Sequence, residues 1–279
     1  MPLSINTNIA SMTAQRSFLD SNQALETAFE RLSTGKRVNS AVDDAAGLAI
    51  GKDLESRVRG LNQAVRNVND GISMVQIVEG SYDEVTSILQ RMRDLAVQAS
   101  NGALTTTERD YLDGEADKLE SAINSVMNQA VFGNVDMVKT ANTSTTVVIH
   151  SGADASDTIE VTLSDNTADD ATGLGVHDGG IVLGTLAGAT AAITTIDTAL
   201  SRVASRRAAL GAAQSQLEST VRNLANVAEN TSAAAGRIMD TDYAAETANL
   251  TKAQILQQAA TSILAQANAQ PQAVLSLLQ

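Results

Sequence analysis

Apolar residues recur along this chain at steps of three and four over unusually long spans. Ile193, Ile196, Leu200, Val203, Arg207, Leu210, Gln214, Leu217, Val221, Leu224, Ala228 and Thr231 alternate strictly between the two steps. That is a seven-residue repeat, which keeps one seam against a partner helix and predicts left-handed supercoiling. A helix of about 45 residues would be on the order of 70 Å long, which points to an elongated molecule. A second stripe comprises Val65, Val68, Ile72, Val75, Val78, Tyr82, Val85, Leu89, Met92 and Ala96. Asn101-Gly102 is expected to end that helix, as a pair tolerant of left-handed dihedrals. A shorter helix carries Leu112, Ala116, Leu119, Ile123 and Val126 on one face, with N-cap candidates in Thr105-Thr106-Thr107-Glu108.

The centre changes period. Thr145–His150 and Thr158–Leu163 are β-branched runs separated by the turn-rich SGADASD, and together they predict a hairpin. Ser164–Gly180 reads as an exposed loop, and Ile181–Leu183 as a candidate third strand. The ends are weaker amphipathic segments. Ile5, Ile9, Met12 and Leu19 line one face at the start; Ile255, Ala259, Ile263 and Ala267 line one at the end, beside Leu256, Ala260 and Leu264. Neither stripe is broad enough to hold an isolated helix in water, so both read as segments awaiting partners.

Composition sharpens this picture. Aromatics are 2%, with no Trp, three Phe and three Tyr, so the rings that usually fill a compact core are missing. The two prolines are Pro2 and Pro271, leaving the long span between them free of the strongest helix breaker. Long helices in a bundle or coiled coil suit this composition. A net charge of −13 does not suit nucleic-acid binding and keeps monomers mutually repelling; screening salt is expected to favour assembly. With no cysteine there is no disulfide framework, thiolate metal site or cysteine nucleophile. The N-terminus lacks the basic and apolar regions of a secretory signal, and no stretch reaches the roughly 18 apolar residues of a membrane span. Of the two histidines, His150 reads as a strand end and His177 as a loop residue. Neither lies in an H-E-x-x-H motif, the central glycines lack dinucleotide-loop spacing, and Asp240 and Asp242 lack the rest of a calcium loop. No catalytic, cofactor or metal site is expected.

Glu30–Gly51, ERLSTGKRVNSAVDDAAGLAIG, resembles the N-terminal signature of bacterial flagellins. Leu200–Glu229, LSRVASRRAALGAAQSQLESTVRNLANVAE, and Pro271–Leu278, PQAVLSLL, resemble the C-terminal one. The resemblance covers residues 1–140 and 186–279. It implies a mainly α fold: a long antiparallel coiled-coil or helical-bundle rod with a small central β-hairpin region. By resemblance, residues 1–40 and 241–279 form an inner coiled-coil core, 41–140 and 186–240 the helical spoke around it, and 141–185 a small variable region. The implied function is a structural subunit polymerising into the flagellar filament, extracellular and exported without a cleaved signal. The implied partners are copies of itself, the export apparatus and its flagellin chaperone, the filament cap and the hook-filament junction proteins. Ile5, Ile9, Met12, Leu19, Ile255, Ala259, Ile263 and Leu264 are the expected polymerisation core, with residues 1–35 and 245–279 expected to order only on assembly.

Two segments resemble peptides that host receptors bind. Ser33, Gly35, Asn39, Ser40, Asp43, Asp44 and Gly47 match a pattern detected by plant immune receptors, with drift at Lys36, Val38 and Val42. A plainer reading puts Asp43 and Asp44 in the first turn of a helix, where the macrodipole favours acids. Gln90–Gly102 resembles the segment bound by the animal Toll-like receptor for flagellin, through Gln90, Arg91, Leu95 and Gln98, with Glu115 on the next helix. Arg91, Leu95 and Gln98 share one helix face, which could equally pack against a neighbouring subunit. Phe132-Gly133-Asn134 transposes the family's usual Phe-Asn-Gly; both orders make a turn. The competing readings are a hook-filament junction protein and a chemoreceptor-like signalling coiled coil.

Overall fold

The computed structural model describes residues 7–133, 135–138, 145–164, 173–176 and 180–277. The chain is mainly helical, with two small antiparallel sheets. It divides into two compact units: one built from both chain ends, up to Val58 and from Glu229 onward, and one from Arg59–Ala228.

The unit Arg59–Ala228 is built on most of α2 (Ala45–Ala99) and α4 (Leu186–Met239), with α3 (Thr106–Gln129) beside them. The long stripes seen in the sequence are its core. Val68, Val75, Val78, Tyr82, Val85, Leu89 and Met92 of α2 are buried, as are Ile196, Val203, Leu210 and Leu217 of α4. Arg207 interrupts the α4 stripe because its guanidinium reaches Asp83 at 3.0 Å and Glu79 at 3.8 Å. With Arg93–Asp197 at 2.6 Å, these pairs fix α2 and α4 as antiparallel, although each exposed pair contributes little free energy.

The α2–α3 turn differs from expectation. Neither Asn101 nor Gly102 adopts a left-handed dihedral. Instead Arg109 of α3 reaches back, its Nε donating to the Ala99 carbonyl at 2.9 Å and a terminal N–H to that of Asn101 at 2.8 Å. A cation on the last carbonyls of a helix does the work of a glycine cap. The start of α3 is as expected: Thr105 and Glu108 form a reciprocal capping box.

After α3 comes a two-residue hairpin, β1 (Val131–Phe132) and β2 (Val135–Asp136), with Gly133 at φ +62° in its turn; Asn134 lies outside the described residues. The expected central hairpin is present as β3 (Thr145–His150) and β4 (Thr158–Ser164). It rests on α2, where Ile149 fills the space that a side chain on Gly71 would take and Ala153 lies against Gly60. His150 is the exposed last residue of β3; His177 lies outside the described residues.

Ile181–Leu183 is not a strand. Its amides are taken by α3: the Ile181 N–H donates to buried Glu120 at 2.9 Å, and the Leu183 N–H to Asp113. The donors that a strand would turn to one neighbour are thus spent on side chains. Nor is the described part of Ser164–Gly180 simply exposed. Leu174 and Val176 are buried, and Arg206 donates to the Gly173 carbonyl at 3.0 Å while lying over the Tyr82 ring.

In the other unit, α1 (Ile9–Thr34) and α5 (Tyr243–Leu277) pair antiparallel. The register is set by Ser11 Oγ to Asn268 at 2.8 Å, Gln257 to Asn22 at 2.6 Å, and an Arg31–Glu246 ion pair at 3.9 Å.

Candidate assembly and recognition surfaces

The seam of the terminal helix pair is most deeply buried at small side chains. On α1 the inward positions are Ser11, Ala14, Phe18, Ser21, Leu25, Ala28 and Leu32; on α5 they are Glu246, Leu250, Ala253, Gln257, Ala260, Leu264 and Ala267. Both sets step by three and four, so they form a heptad seam whose fully buried members are mostly Ser and Ala. The large apolar side chains face solvent: Ile9 is 67% exposed, Met12 57%, Leu19 63%, Ile255 61% and Ile263 55%. Phe29 and Leu256 join them. The expected faces are therefore not the α1–α5 contact, apart from half-buried Leu264 and buried Ala260 and Ala267. Ala259 is exposed, and Ile5 lies outside the described residues. Isolated exposed apolar residues need no explanation, but a set this large on two paired helices marks a contact surface.

The turn from α1 to α2 is closed by its own side chains. Gly35 caps α1 at φ +70°, its N–H on the Arg31 carbonyl at 2.9 Å, and a Cβ there would press on the Tyr243 hydroxyl. Asp43 Oδ2 accepts from the Ser40 N–H at 2.9 Å, the Ser40 hydroxyl at 3.0 Å and the Asn39 N–H at 3.1 Å. Those donors hold its carboxyl below the ordinary range. Asp44 Oδ1 accepts from the Gly47 N–H at 2.8 Å and caps α2. The two acids thus precede the first turn rather than occupying it. The Asn39 amide donates to Thr34 and Lys36, and Ser33 is exposed. The turn also touches the end of α4, with the Arg37 N–H on the Met239 carbonyl at 2.6 Å and the Thr241 N–H on that of Gly35 at 3.0 Å. Lys36 and Lys52 both grip Glu55, at 2.8 and 2.9 Å, and pull its carboxyl down to about 2.

On the α2–α3 surface, Gln90, Arg91 and Gln98 are exposed, and the Arg91 guanidinium holds Glu115 Oε1 at 2.7 and 3.0 Å. Leu95 does not share this surface. It is 1% exposed and belongs to the core, so its place in the segment is explained by packing.

Sequence reasoning missed the Ser/Ala seam, the Arg109 cap and the Glu120 and Asp113 anchors. The seam is legible in the sequence as a heptad in which Ser and Ala alternate with larger residues. No local signal marks the others. Among the described residues no helix is long and apolar enough to cross a membrane.

Comparison with known proteins shows the family. Residues 5–143 match the bacterial flagellin N-terminal helical region, and residues 193–278 the bacterial flagellin C-terminal helical region. A flagellin of Halalkalibacterium halodurans is 42% identical over 277 residues, spanning 99% of each chain. Flagellin B of Vibrio cholerae is 34% identical over 375 aligned positions that take in all of both chains. A crystal structure of Bacillus cereus flagellin overlaps with a TM-score of 0.48 and 27% identity, over 57% of this chain and 88% of that one.

Proposed function

The chain belongs to the bacterial flagellin family and is a structural subunit of the flagellar filament; on that premise we propose that α1 and α5 are its assembly elements, ordering fully only when neighbouring subunits cover their outer faces. The observation that carries this is the character of the terminal pair: its most buried seam positions are mostly Ser and Ala, the larger Phe18, Leu25, Leu32, Leu250 and Leu264 are only half-buried, and Ile9, Met12, Leu19, Phe29, Ile255, Leu256 and Ile263 are exposed. A seam whose fully buried members are mostly small and whose large members are half-buried supplies limited free energy, since burial stabilises in proportion to area. Repeated head-to-tail contacts that do not close produce a helical filament.

In this reading residues 1–40 and 241–279 line the filament interior and the intervening helices surround it. The subunit reaches the cell exterior through the flagellum's own export route without losing a signal peptide. It meets a flagellin chaperone, the filament cap and the hook-filament junction proteins on the way, and it catalyses nothing. Seeded polymerisation followed by electron microscopy tests the core of this. Uniform filaments whose reconstruction pairs the two termini around a central channel are expected; discrete oligomers alone would count against it. Strong hydrogen-exchange protection of the α1 and α5 amides in the monomer would overturn the ordering step.

A second surface supports host detection. Gln90, Arg91, Gln98 and Glu115 lie exposed on neighbouring helices, with Arg91 and Glu115 already paired, and this is the surface on which the animal receptor would act. The residues resembling the plant epitope take part in the internal bonds of the α1–α2 turn, apart from exposed Ser33, so a plant receptor would compete with those bonds.

A further inference from the structure

We infer that Met12 is an oxidation site through which peroxide blocks this subunit's assembly, an inference that rests on the terminal faces being buried in the filament. Methionine oxidation is selective only when one thioether is accessible and the others are not. That condition is met among the described residues. Met92, Met127 and Met137 are 0% exposed, and Met239 is 3% exposed. Met74 is half-buried against the core. Met12 is 57% exposed on α1. Its place is as telling as its exposure, since it lies one turn from Ile9 and two turns from Leu19 on the same helix face. The register set by Ser11–Asn268 and Gln257–Asn22 brings Ile263 to a level between Met12 and Leu19.

The chemistry needs only the thioether and a peroxide. A sulfur lone pair attacks one peroxide oxygen and the O–O bond breaks. The departing hydroxide takes up the proton and leaves as water. Sulfur is oxidised by two electrons to the sulfoxide and the peroxide is reduced by the same two. The product replaces a flexible apolar side chain with a polar, chiral one. On an exposed helix face of the monomer it is solvated and harmless. Under a neighbouring subunit its oxygen has to be desolvated without a partner. The lesion is therefore silent in the free subunit and expressed at assembly. It is also reversible, because methionine sulfoxide is reduced enzymatically. A thioether gives this face adaptable packing at the cost of that sensitivity.

The test uses the full-length protein. Monomer and preformed filament are treated with hydrogen peroxide, and each methionine is followed by peptide mass mapping. Seeded growth is then measured for treated and untreated wild type, for Met12→Leu, and for treated wild type repaired with methionine sulfoxide reductases. Met12 is expected to oxidise first in the monomer and to be protected in the filament. Treated wild type is expected to leave at least roughly tenfold more protein unpolymerised, with growth restored by the reductases and unaffected by peroxide in Met12→Leu. Treated wild type that grows normally with Met12 oxidised, or Met12→Leu that is inhibited equally, overturns the inference. Untreated wild type that fails to grow on seeds overturns the assembly reading itself, a distinct result.

Discussion

Replacing Ile255 with serine tests the assembly reading where its energetics are simplest. The side chain is 61% exposed in the subunit. Full burial of an isoleucine is worth about 1.5–3 kcal/mol, so the exposed share leaves about 1–2 kcal/mol for a neighbour to realise. At 1.4 kcal/mol per tenfold, losing it raises the critical concentration for seeded growth by roughly 5- to 30-fold. The free subunit should not register the change. Serine and isoleucine have similar helix propensities, and a substitution on an exposed helix face stays within about 0.5 kcal/mol. In the assay, wild type and Ile255→Ser are grown from the same wild-type seeds and the filaments are pelleted. The protein left in the supernatant is read at plateau, with far-ultraviolet circular dichroism of the monomers as control. Equal supernatants at equal helicity refute the claim that neighbours bury this face.

Three further outcomes follow from other parts of the molecule. Arg109→Ala strips two charge-assisted hydrogen bonds from the end of α2 and should destabilise the unit Arg59–Ala228 by about 2–4 kcal/mol in urea unfolding; Arg109→Lys, lacking the forked donors, should restore little, and a loss below about 1 kcal/mol would show the cap to be ornamental. Glu55 has its carboxyl held at about 2 rather than 4.5 by Lys36 and Lys52, so its contribution is present above the unfolded value and fades as pH falls from about 4.5 toward 2. The stability difference between wild type and Glu55→Gln should shrink across that window, and a difference flat with pH would contradict the pairing. Finally, wild-type monomer should activate reporter cells carrying the flagellin-responsive Toll-like receptor, with Arg91→Ala lowering the response at unchanged helicity; silence from intact wild type rejects that reading.

What the sequence disclosed depended on how far apart the interacting groups lie. The α2 and α4 stripes, the Thr105–Glu108 capping box and the β3–β4 hairpin are periodic or local, and each was readable from its own residues. The anchors of the 181–183 segment were not, because Glu120 binds an amide 61 residues away and nothing local to either end announces it. Arg109 was invisible for a related reason: an arginine in a first turn looks unhelpful until its reach to the Ala99 carbonyl is known. The terminal helices misled in a more instructive way. Reading the largest apolar residues as the partner face assumes that the partner lies within the chain. Here Ile9 and Ile255 point away from the intramolecular seam, and the face they mark is one that the isolated subunit does not use. Leu95 shows the converse, a residue whose segment resembles a recognition site while its side chain is core.

The contrast between the two units bears on why a filament subunit is built this way. In the unit Arg59–Ala228, Tyr82, Leu89, Met92, Ile123 and Ile196 are fully buried, and the unit carries its own hydrophobic stabilisation. In the terminal pair much of that stabilisation is deferred, because Ile9, Met12, Leu19, Phe29, Ile255, Leu256 and Ile263 face outward. In the proposed reading the pair's order is conditional on meeting another subunit, since so weak a seam supplies little of the burial that holds helices in water. The charge of −13 opposes that meeting in dilute solution, and salt weakens the opposition. A nucleus must order several terminal pairs at once before any outer face is covered, whereas a growing end offers covered faces immediately. On the proposed reading, the same outward placement of large side chains that makes the contact surface also suppresses spontaneous nucleation relative to growth. Moving the large residues inward would stabilise the free subunit while removing both properties.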